Sequence, residues 1–352
     1  MMEARKFDLL LLALMPGVHP RVRAPLLTGS GLSDVMAHPD DHADVLPEAA
    51  LAGLRSGQLR KAAELEIEAV RSAGIHLVGW GEYGYPELLA RTFDPPPVLW
   101  VRGRLLAGDL QAAIGIVGSR QATGAGRVLA RAMARELAAA GVTVVSGLAL
   151  GIDGEAHRGA LEAGGYTVAV LGSGLECVYP KGHAPLAEQI ARTGALVSEF
   201  PLLAPPYKGN FPRRNRVIAG WAPGVVVVEA AARSGALVTA RLALEEGREV
   251  MAVPGHPGCP TAEGTNALIR DGAVLVRGAA DVAEQLGVVL PAPAAVAREP
   301  LLDALRGDAP LTLDELHKRS GVPVPALLQR LGELELERKV QRLPGALFVR
   351  GL

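Results

Sequence analysis

Short apolar segments alternate with helical segments between about residues 81 and 290, and this alternation restricts the chain to few folds. Most of the apolar segments lack polar alternation, which is typical of strands covered on both faces of a sheet. The expected strands span residues 98–101, 113–117, 143–145, 167–171, 196–198, 225–229, 249–253 and 273–276. The expected helices span residues 127–140, 155–163, 185–192 and 234–246. Repeated strand–helix–strand units predict an α/β, Rossmann-like doubly wound sheet, mostly parallel, with its ligand site beyond the carboxyl ends of the strands.

Two smaller regions flank this predicted sheet domain of residues 81–290. Residues 1–80 are expected to form a small helical domain, whose turn at Pro16-Gly17 resembles a SAM-like or helix–hairpin–helix arrangement. A plain helical bundle is the alternative for this region. Residues 291–352 begin with a Pro/Ala linker and continue as three helices and two short strands around Pro344-Gly345. That order of elements predicts a winged helix.

Charge and composition exclude several classes of protein. The formal net charge of −1 over 352 residues disfavours a protein that coats any polyanion, but it allows a local basic groove. The apolar runs are too short to span a membrane, and no N-terminal segment has the pattern of a signal peptide. Two cysteines, Cys177 and Cys259, are too few for a metal cage and fit a reducing compartment. We therefore expect a cytoplasmic protein without a structural metal or a membrane partner.

A glycine-rich turn follows the expected strand 113–117 and precedes a long helix. Such a turn directs backbone N–H groups and a helix dipole towards an anion, and Arg120 adds a positive charge beside it. The glycines at 118, 124 and 126 do not have the G-x-G-x-x-G spacing of a dinucleotide site. The turn therefore favours phosphate binding, with a purely structural turn as the alternative.

Two further strand ends carry small residues that extend this anion site. They are Ser146-Gly147 and Gly172-Ser173-Gly174, and three adjacent strand ends of this kind predict a continuous anion-binding rim. The third leads into residues 179–183, where Lys181 is expected to reach a phosphate and His183 to stack or donate. An ordinary solvated lysine is the alternative interpretation of Lys181.

A long segment without acidic residues lies between Glu199 and Glu229. Its four cations are Lys208, Arg213, Arg214 and Arg216, and the aromatic residues Tyr207, Phe211 and Trp221 are interleaved with them. Cations that neutralise a phosphate backbone and aromatic faces that stack on unpaired bases are what single-stranded nucleic acid requires. The segment therefore indicates a single-stranded nucleic-acid site.

Catalytic and metal patterns are weak. Asp153 and His157 have the i, i+4 spacing of a metal pair, but we expect Asp153 to cap its own helix by accepting from the first free N–H groups. No Walker motif G-x-x-x-x-G-K-[ST] occurs, and no nucleophile–base pair has a recognisable spacing. The sequence predicts a binding protein without a cofactor, not an enzyme.

An ordered set of motifs resembles the DNA-processing protein A family, also called DprA or Smf. The matching segments lie between residues 81 and 277, at 85–89, 116–120, 146–153, 156–157, 179–180, 198–199, 211–220, 234–240 and 253–255. The helical N-terminal region and the C-terminal winged helix are similar, more loosely, to accessory domains of the family.

This resemblance implies a protein that binds and protects single-stranded DNA, often as a homodimer, and that loads RecA recombinase during natural transformation. The DNA-contacting positions, from the resemblance and the charge pattern together, are Gly118, Ser119, Arg120, Ser146, Gly147, Gly172, Ser173, Gly174, Lys181, Gly182, His183, Phe211, Arg213, Arg214, Asn215 and Arg216. The resemblance implies a dimer surface around Asn266, Leu268 and Ile269.

Two other functions remain open at this point. Nucleoside-monophosphate phosphoribohydrolases share the wider fold and carry P-G-G-x-G-T-x-x-E, whereas the corresponding region here, residues 229–236, lacks that signature. A winged-helix reader of duplex DNA is the second, but residues 296–352 contain nine Lys/Arg against eight Asp/Glu. The expected recognition helix also carries Glu333, Glu335 and Glu337 near its end, where like charge opposes phosphate binding.

Overall fold

The computed structural model describes residues 2–29, 31–106, 112–291, 300–305, 310–336 and 339–350, in two compact units, residues 1–290 and 291–352. In the described parts of both units, no helix is long and apolar enough to cross a membrane.

A nine-stranded sheet forms the centre of the first unit. Its strands are β1 (His76–Gly79), β2 (Val98–Gly103), β3 (Ala113–Val117), β4 (Thr143–Ser146), β5 (Thr167–Leu171), β6 (Ala195–Ser198), β7 (Gly224–Val227), β8 (Glu249–Ala252) and β9 (Val274–Leu275). The strand order is β1-β2-β6-β5-β4-β3-β7-β8-β9. All neighbours from β6 to β9 are parallel, whereas β2 is antiparallel to both β1 and β6. The predicted mostly parallel sheet is confirmed, and β1 is an additional edge strand that the sequence analysis missed.

Thirteen α-helices accompany this sheet in the described residues of the first unit. They are α1 (Met2–Leu14), α2 (Pro20–Thr28), α3 (Gly31–Ala37), α4 (Glu48–Arg55), α5 (Gln58–Ser72), α6 (Glu87–Ala90), α7 (Gly124–Ala139), α8 (Ile152–Glu162), α9 (Ala184–Thr193), α10 (Asn210–Trp221), α11 (Gly235–Glu245), α12 (Glu263–Arg270) and α13 (Ala279–Leu286). The four predicted helices correspond to α7, α8, α9 and α11. Helix α10 was not among the predicted helices, and the sequence analysis described its residues only as part of the basic segment between Glu199 and Glu229.

Strands in the middle of the sheet are buried on both faces. All five residues of β3 are buried; Ile114 and Ile116 pack in one core and Val117 in another. The first core includes buried residues of α7 and α8, and the second includes residues of α10 and α11. The absence of polar alternation in the sequence is thereby explained, because helices cover both faces.

The N-terminal helices share a core with the sheet. Leu9 and Leu10 of α1 pack in the same apolar cluster as Trp100 of β2. Glu66 of α5 accepts hydrogen bonds from the Trp100 indole N–H at 2.7 Å and from the Leu202 amide at 2.6 Å. Residues 1–80 therefore lie within the first compact unit, and their independence as a domain stays a prediction.

The second unit has the elements of a winged helix. It comprises α14 (Pro300–Ala304), β10 (Leu311–Thr312), α15 (Leu313–Ser320), α16 (Val324–Leu336), β11 (Val340–Leu343) and β12 (Leu347–Arg350), with sheet order β10-β12-β11. A capping box between Thr312 and Glu315 begins α15. Leu316, Leu331 and Phe348 are buried in the core of this second unit. The predicted winged helix is confirmed.

The strand order determines where a ligand can enter the first unit. From β3 the chain proceeds to β4, β5 and β6 on one side and later to β7, β8 and β9 on the other. The connections therefore diverge between β3 and β7, which leaves a crevice at the carboxyl ends of these two strands. Gly151 stands just before α8 at this edge, with φ +78° and ψ −126°, and a Cβ there would overlap the Ser119 carbonyl oxygen.

Replacement of Gly151 by Ala should lower the free energy of unfolding by about 3 kcal/mol, because both the backbone angles and the Ser119 contact exclude a side chain. Gly141 is the matched control, since its φ is +81° but no atom lies within 4 Å of the added Cβ. Gly141→Ala should cost about 1 kcal/mol. Urea unfolding followed by circular dichroism measures both, and equal losses would contradict the steric argument.

Candidate nucleic-acid interface

A cleft of about 760 Å³ opens at the crevice between β3 and β7. One wall is the turn after β3, the second is the start of α10, and the third is the start of α11. Residues from these three walls include Gly118, Ser119, Arg120, Gln121, Phe211, Arg214, Asn215, Arg233, Ser234 and Gly235. The cleft thus lies at the strand ends where the sequence predicted the ligand site.

The turn after β3 is held by bonds within the protein. The Ser119 amide donates to the Glu229 carbonyl at 2.7 Å, and the Ser119 hydroxyl accepts from the Gln121 amide at 3.1 Å. A Cβ on Gly118 would lie 2.6 Å from the Ile152 side chain, which explains the glycine. These two amides already have partners, whereas the Arg120 guanidinium of the same turn is exposed to an anion.

The N-terminus of α7 is occupied by a carboxylate of the protein itself. Glu229 accepts hydrogen bonds from the Thr123 amide at 2.9 Å and from the Thr123 hydroxyl at 2.5 Å. The same hydroxyl caps the helix by accepting from the Gly126 amide at 3.0 Å. The prediction that this helix dipole faces a ligand anion was wrong, because Glu229 already supplies the negative charge.

Phe211 is the aromatic centre of the cleft. Its ring centroid lies 5.6 Å from that of Tyr179, with 53° between the planes, and 5.4 Å from the Arg120 guanidinium carbon. Gly172 lies against the ring, since a Cβ there would be 2.8 Å from the Phe211 Cδ1 atom. Gly172 therefore allows close approach of Phe211, a packing role that the sequence analysis did not anticipate.

Three cations of the cleft are exposed and lack an ion-pair partner among the described residues: Arg120, Lys208 and Arg233. Arg233 was not among the predicted site residues. The sequence Arg-Ser-Gly between a strand and a helix could have indicated it, because such a position places a cation at a helix N-terminus near the strand ends. Lys208 belonged to the predicted basic segment but was not among the predicted DNA-contacting positions. Asp153 is the acidic residue of the described lining, and it is buried.

Arg214 lies beneath the cleft, where it is buried. Its Nη1 donates to the Gly147 carbonyl at 2.5 Å and also to the Val170 carbonyl, so it bridges the ends of β4 and β5. Burial lowers the pKa of Arg214 to about 10, and Asp153 opposes that shift. Burial raises the pKa of Asp153, whereas Arg214 lowers it. Arg214 was predicted as a DNA-contacting position, but it is buried and bonds to the protein's own carbonyls.

Two neighbouring arginines of α10 are paired with acids. The Glu199 carboxylate accepts from Arg213 at 3.0 Å and from Arg216, and Arg216 also pairs with Asp94 at 3.3 Å. Two of the four cations of the segment are therefore neutralised by acids outside it, and direct DNA contact by Arg213 and Arg216 stays a prediction. Asn215 instead links two walls, because its side-chain amide donates to the Gly235 carbonyl at 3.4 Å.

The small residues of the predicted rim have internal partners. The Ser146 hydroxyl donates to the Ile116 carbonyl at 2.6 Å, and the Ser173 hydroxyl donates to the Cys177 carbonyl at 2.7 Å. A Cβ on Gly147 would overlap the Arg214 guanidinium, and one on Gly174 would overlap the Leu202 carbonyl. These residues hold the strand ends together, and their direct contact with DNA stays a prediction.

The segment after Gly174 divides into exposed and buried residues. Tyr179 and Pro180 border a small cavity beside Arg120 and Phe211, and Lys181 and Gly182 follow them as exposed residues. His183 is buried, and its Nδ1 donates to the Leu148 carbonyl at 2.9 Å. The expectation that His183 stacks on or donates to a ligand was therefore wrong.

The suspected metal pair is structural. Asp153 accepts from the Gly147 amide at 3.2 Å, not from its own helix, whose N-cap is Gly151. His157 Nδ1 bonds the Thr167 hydroxyl at 2.8 Å, and burial lowers the pKa of His157 to about 3. Among the described residues, no group of three or more His, Cys, Asp and Glu side chains could hold a metal.

The predicted dimer residues lie in α12, which follows β8 in the chain. The Asn266 side chain accepts from the Gly255 amide at 3.1 Å and donates to its carbonyl at 2.9 Å. Leu268 and Ile269 are half-buried in the single chain. Their part in a dimer surface stays a prediction.

Comparison with known proteins supports this architecture. The family model described as DNA recombination-mediator protein A matches residues 76–287, and the DprA winged helix domain matches residues 289–346. Protein Smf of Escherichia coli is 42% identical over 309 residues, which are 81% of this chain and 80% of that protein.

Two solved structures are also similar. DNA processing protein A from Streptococcus pneumoniae superposes with a TM-score of 0.61 and 31% identity, covering 78% of this chain and 95% of that one. Helicobacter pylori DNA processing protein A, described for its single-stranded-DNA-binding mode, gives a TM-score of 0.55 and 28% identity over 60% of this chain and 95% of that one. With both domains matched in order, the chain belongs to the DNA recombination-mediator protein A family.

Proposed function

We propose that this protein is a single-stranded-DNA-binding recombination mediator, and that the cleft between β3 and β7 holds the strand. The observation that carries the proposal is the combination of three unpaired cations with the Phe211–Tyr179 aromatic pair in one cleft. Arg120, Lys208 and Arg233 neutralise phosphates, and the aromatic rings stack on bases that have no pairing partner.

The aromatic pair explains a preference for single strands. A ring stacks on a base only when the face of that base is open, as in an unpaired strand. Tyr207 is 70% exposed and directly precedes Lys208 of the cleft lining, so it offers a further ring. Similarity to the Helicobacter pylori protein, whose description names single-stranded DNA, supports the same ligand.

The cellular role follows from family membership. We infer that the protein protects incoming single-stranded DNA and loads RecA recombinase during natural transformation, as a cytoplasmic homodimer without a cofactor or catalytic activity. The surface around Asn266, Leu268 and Ile269 is the proposed dimer contact. Asn266 uses its amide within its own chain, so the apolar side chains Leu268 and Ile269 are the better candidates for burial by a partner.

Single-stranded oligonucleotides should bind more tightly than duplexes of matched length, because paired bases cannot stack on Phe211 and Tyr179. Fluorescence anisotropy with labelled oligonucleotides measures both affinities. Binding should also weaken steeply with added salt, since released counterions contribute to it. Equal affinity for the two forms at one salt concentration would contradict the proposal.

Replacement of Arg120 by Ala should weaken single-strand binding by about 1.5–3 kcal/mol, the range for a charge-assisted hydrogen bond lost at a fixed site. The slope of log K against log salt should fall by about one unit, because one phosphate contact disappears. Anisotropy titrations at several salt concentrations measure both quantities.

Arg241→Ala is the control for Arg120→Ala. Arg241 is equally charged and exposed, but it lies on α11 beyond the cleft and pairs with Glu245 at 3.5 Å. Its replacement should leave affinity and salt slope unchanged. A folded Arg120→Ala protein that binds as tightly as this control would exclude the cleft as the phosphate site.

A chain that ends at Leu290 should keep most of its single-strand affinity. The first compact unit contains the whole cleft, and α16 of the winged helix carries acidic residues that repel phosphate. Anisotropy with the same oligonucleotide, after circular dichroism shows that the shortened chain is folded, provides the measurement. Loss of most of the affinity would assign a DNA contact to residues 291–352.

A further inference from the structure

Helix α10 presents two faces with different surroundings. Phe211, Arg214 and Ile218 follow helical spacing along the face that lines the cleft. Arg213, Arg216 and Gly220 lie along another face, where a Cβ on Gly220 would be 2.6 Å from Thr92. Because the helix is one rigid element, the contacts that hold its second face also determine the position of Phe211.

The second face is held by a chain of ion pairs that ends in the N-terminal helices. Glu199 accepts from Arg213 and Arg216. The Arg216 guanidinium also contacts Asp94, both at the side-chain carboxylate and at the backbone carbonyl of Asp94. Asp94 in turn accepts from Arg23 of α2, with the Arg23 Nε at 3.0 Å. The links join residues 71 and 122 positions apart in the sequence, and the set is here called the anchor network: Arg23, Asp94, Glu199, Arg213 and Arg216.

Most of the anchor network is withdrawn from solvent. The side-chain exposures are 2% for Glu199, 8% for Arg23, 13% for Arg216 and 17% for Asp94. Loss of one partner from a buried ion pair leaves an uncompensated charge, which is costly and drives the neighbours to rearrange. Removal of Arg23 therefore leaves Asp94 to be satisfied by Arg216 alone, and the helix that carries Arg216 also carries Phe211.

From this geometry we infer that Arg23 of α2 is a positioning residue for the DNA cleft, acting through Asp94 and Arg216 on helix α10. The inference rests on the proposed function, since it concerns the affinity of the cleft for single-stranded DNA. Arg23 is not among the described residues that line the cleft, so we expect it to make no phosphate contact. The N-terminal helices thus maintain the position of Phe211, which lies on the same helix as Arg216, from a distance.

The test compares Arg23→Gln with Arg21→Gln in the full chain, using a labelled single-stranded oligonucleotide. Arg21 is an exposed arginine of the same helix and has no ion pair among the described residues. Arg23→Gln should weaken binding at least about fivefold, the lower end of coupling between distant sites. Its salt slope should equal that of the unmodified protein, because no phosphate contact is lost. Arg21→Gln should change neither.

A double-mutant cycle separates positioning from general loss of structure. In a Phe211→Ala background, Arg23→Gln should have little further effect on affinity, because the ring that it positions is absent. Arg23→Lys keeps the charge and should recover much of the affinity. If Arg23→Gln does not fold, Asp94→Asn, which removes the acid between Arg23 and Arg216, takes its place in the cycle. Circular dichroism and thermal melts accompany each variant.

The outcomes distinguish the inference from the proposed function. An unmodified protein that does not bind single strands would overturn the proposed function itself. An unmodified protein that binds, with folded Arg23→Gln binding equally well, would overturn the positioning role alone. A reduced salt slope in Arg23→Gln would also overturn it, because that result assigns Arg23 a direct phosphate contact. Additive effects of Arg23→Gln and Phe211→Ala would exclude α10 as the connecting element.

Discussion

The buried guanidinium of Arg214 is the contact on which the cleft depends. It donates to the Gly147 carbonyl and the Val170 carbonyl, and so joins β4 to β5 just after their last paired residues, Ser146 and Ala169. Gly147 has to be glycine, because a Cβ would overlap this guanidinium. Asp153 completes the arrangement from below by accepting from the Gly147 amide. Arg214 is thereby committed to the framework, and Arg120 above it remains available to a ligand.

Carboxylates of the protein neutralise several cationic sites that a ligand could otherwise occupy. Glu229 fills the N-terminus of α7, and Glu199 and Asp94 neutralise the arginines on the outer face of α10. This internal pairing leaves Arg120, Lys208 and Arg233 as the cations of the described cleft lining that have no ion-pair partner. A chain of net charge −1 thus presents a defined cationic site without a generally basic surface.

The fold was predictable because it follows from local patterns. Apolar segments such as 113–117 and 167–171 indicated buried parallel strands, and the glycine-rich strand ends indicated the edge where the cleft opens. Helix α10 was missed because Pro212 and four polar residues in its first half suggest an irregular segment. Its helical state depends on packing of Val217 and Ile218 in the core and on ion pairs to Glu199 and Asp94, which are separated from it in the sequence.

The sequence by itself determined the class of fold, the edge of the sheet at which the cleft opens, and the residue types present at that edge. The tertiary structure decided which of those residues are free. Arg120 and Arg214 look alike in the sequence, yet one is exposed above Phe211 and the other is buried beneath Gly147. The physical reason is that a charge is neutralised by whatever acid or carbonyl lies nearest in space. Asp94 contacts both Arg23 and Arg216, which are 71 and 122 positions away from it in the sequence. No local sequence pattern indicates pairs so far apart.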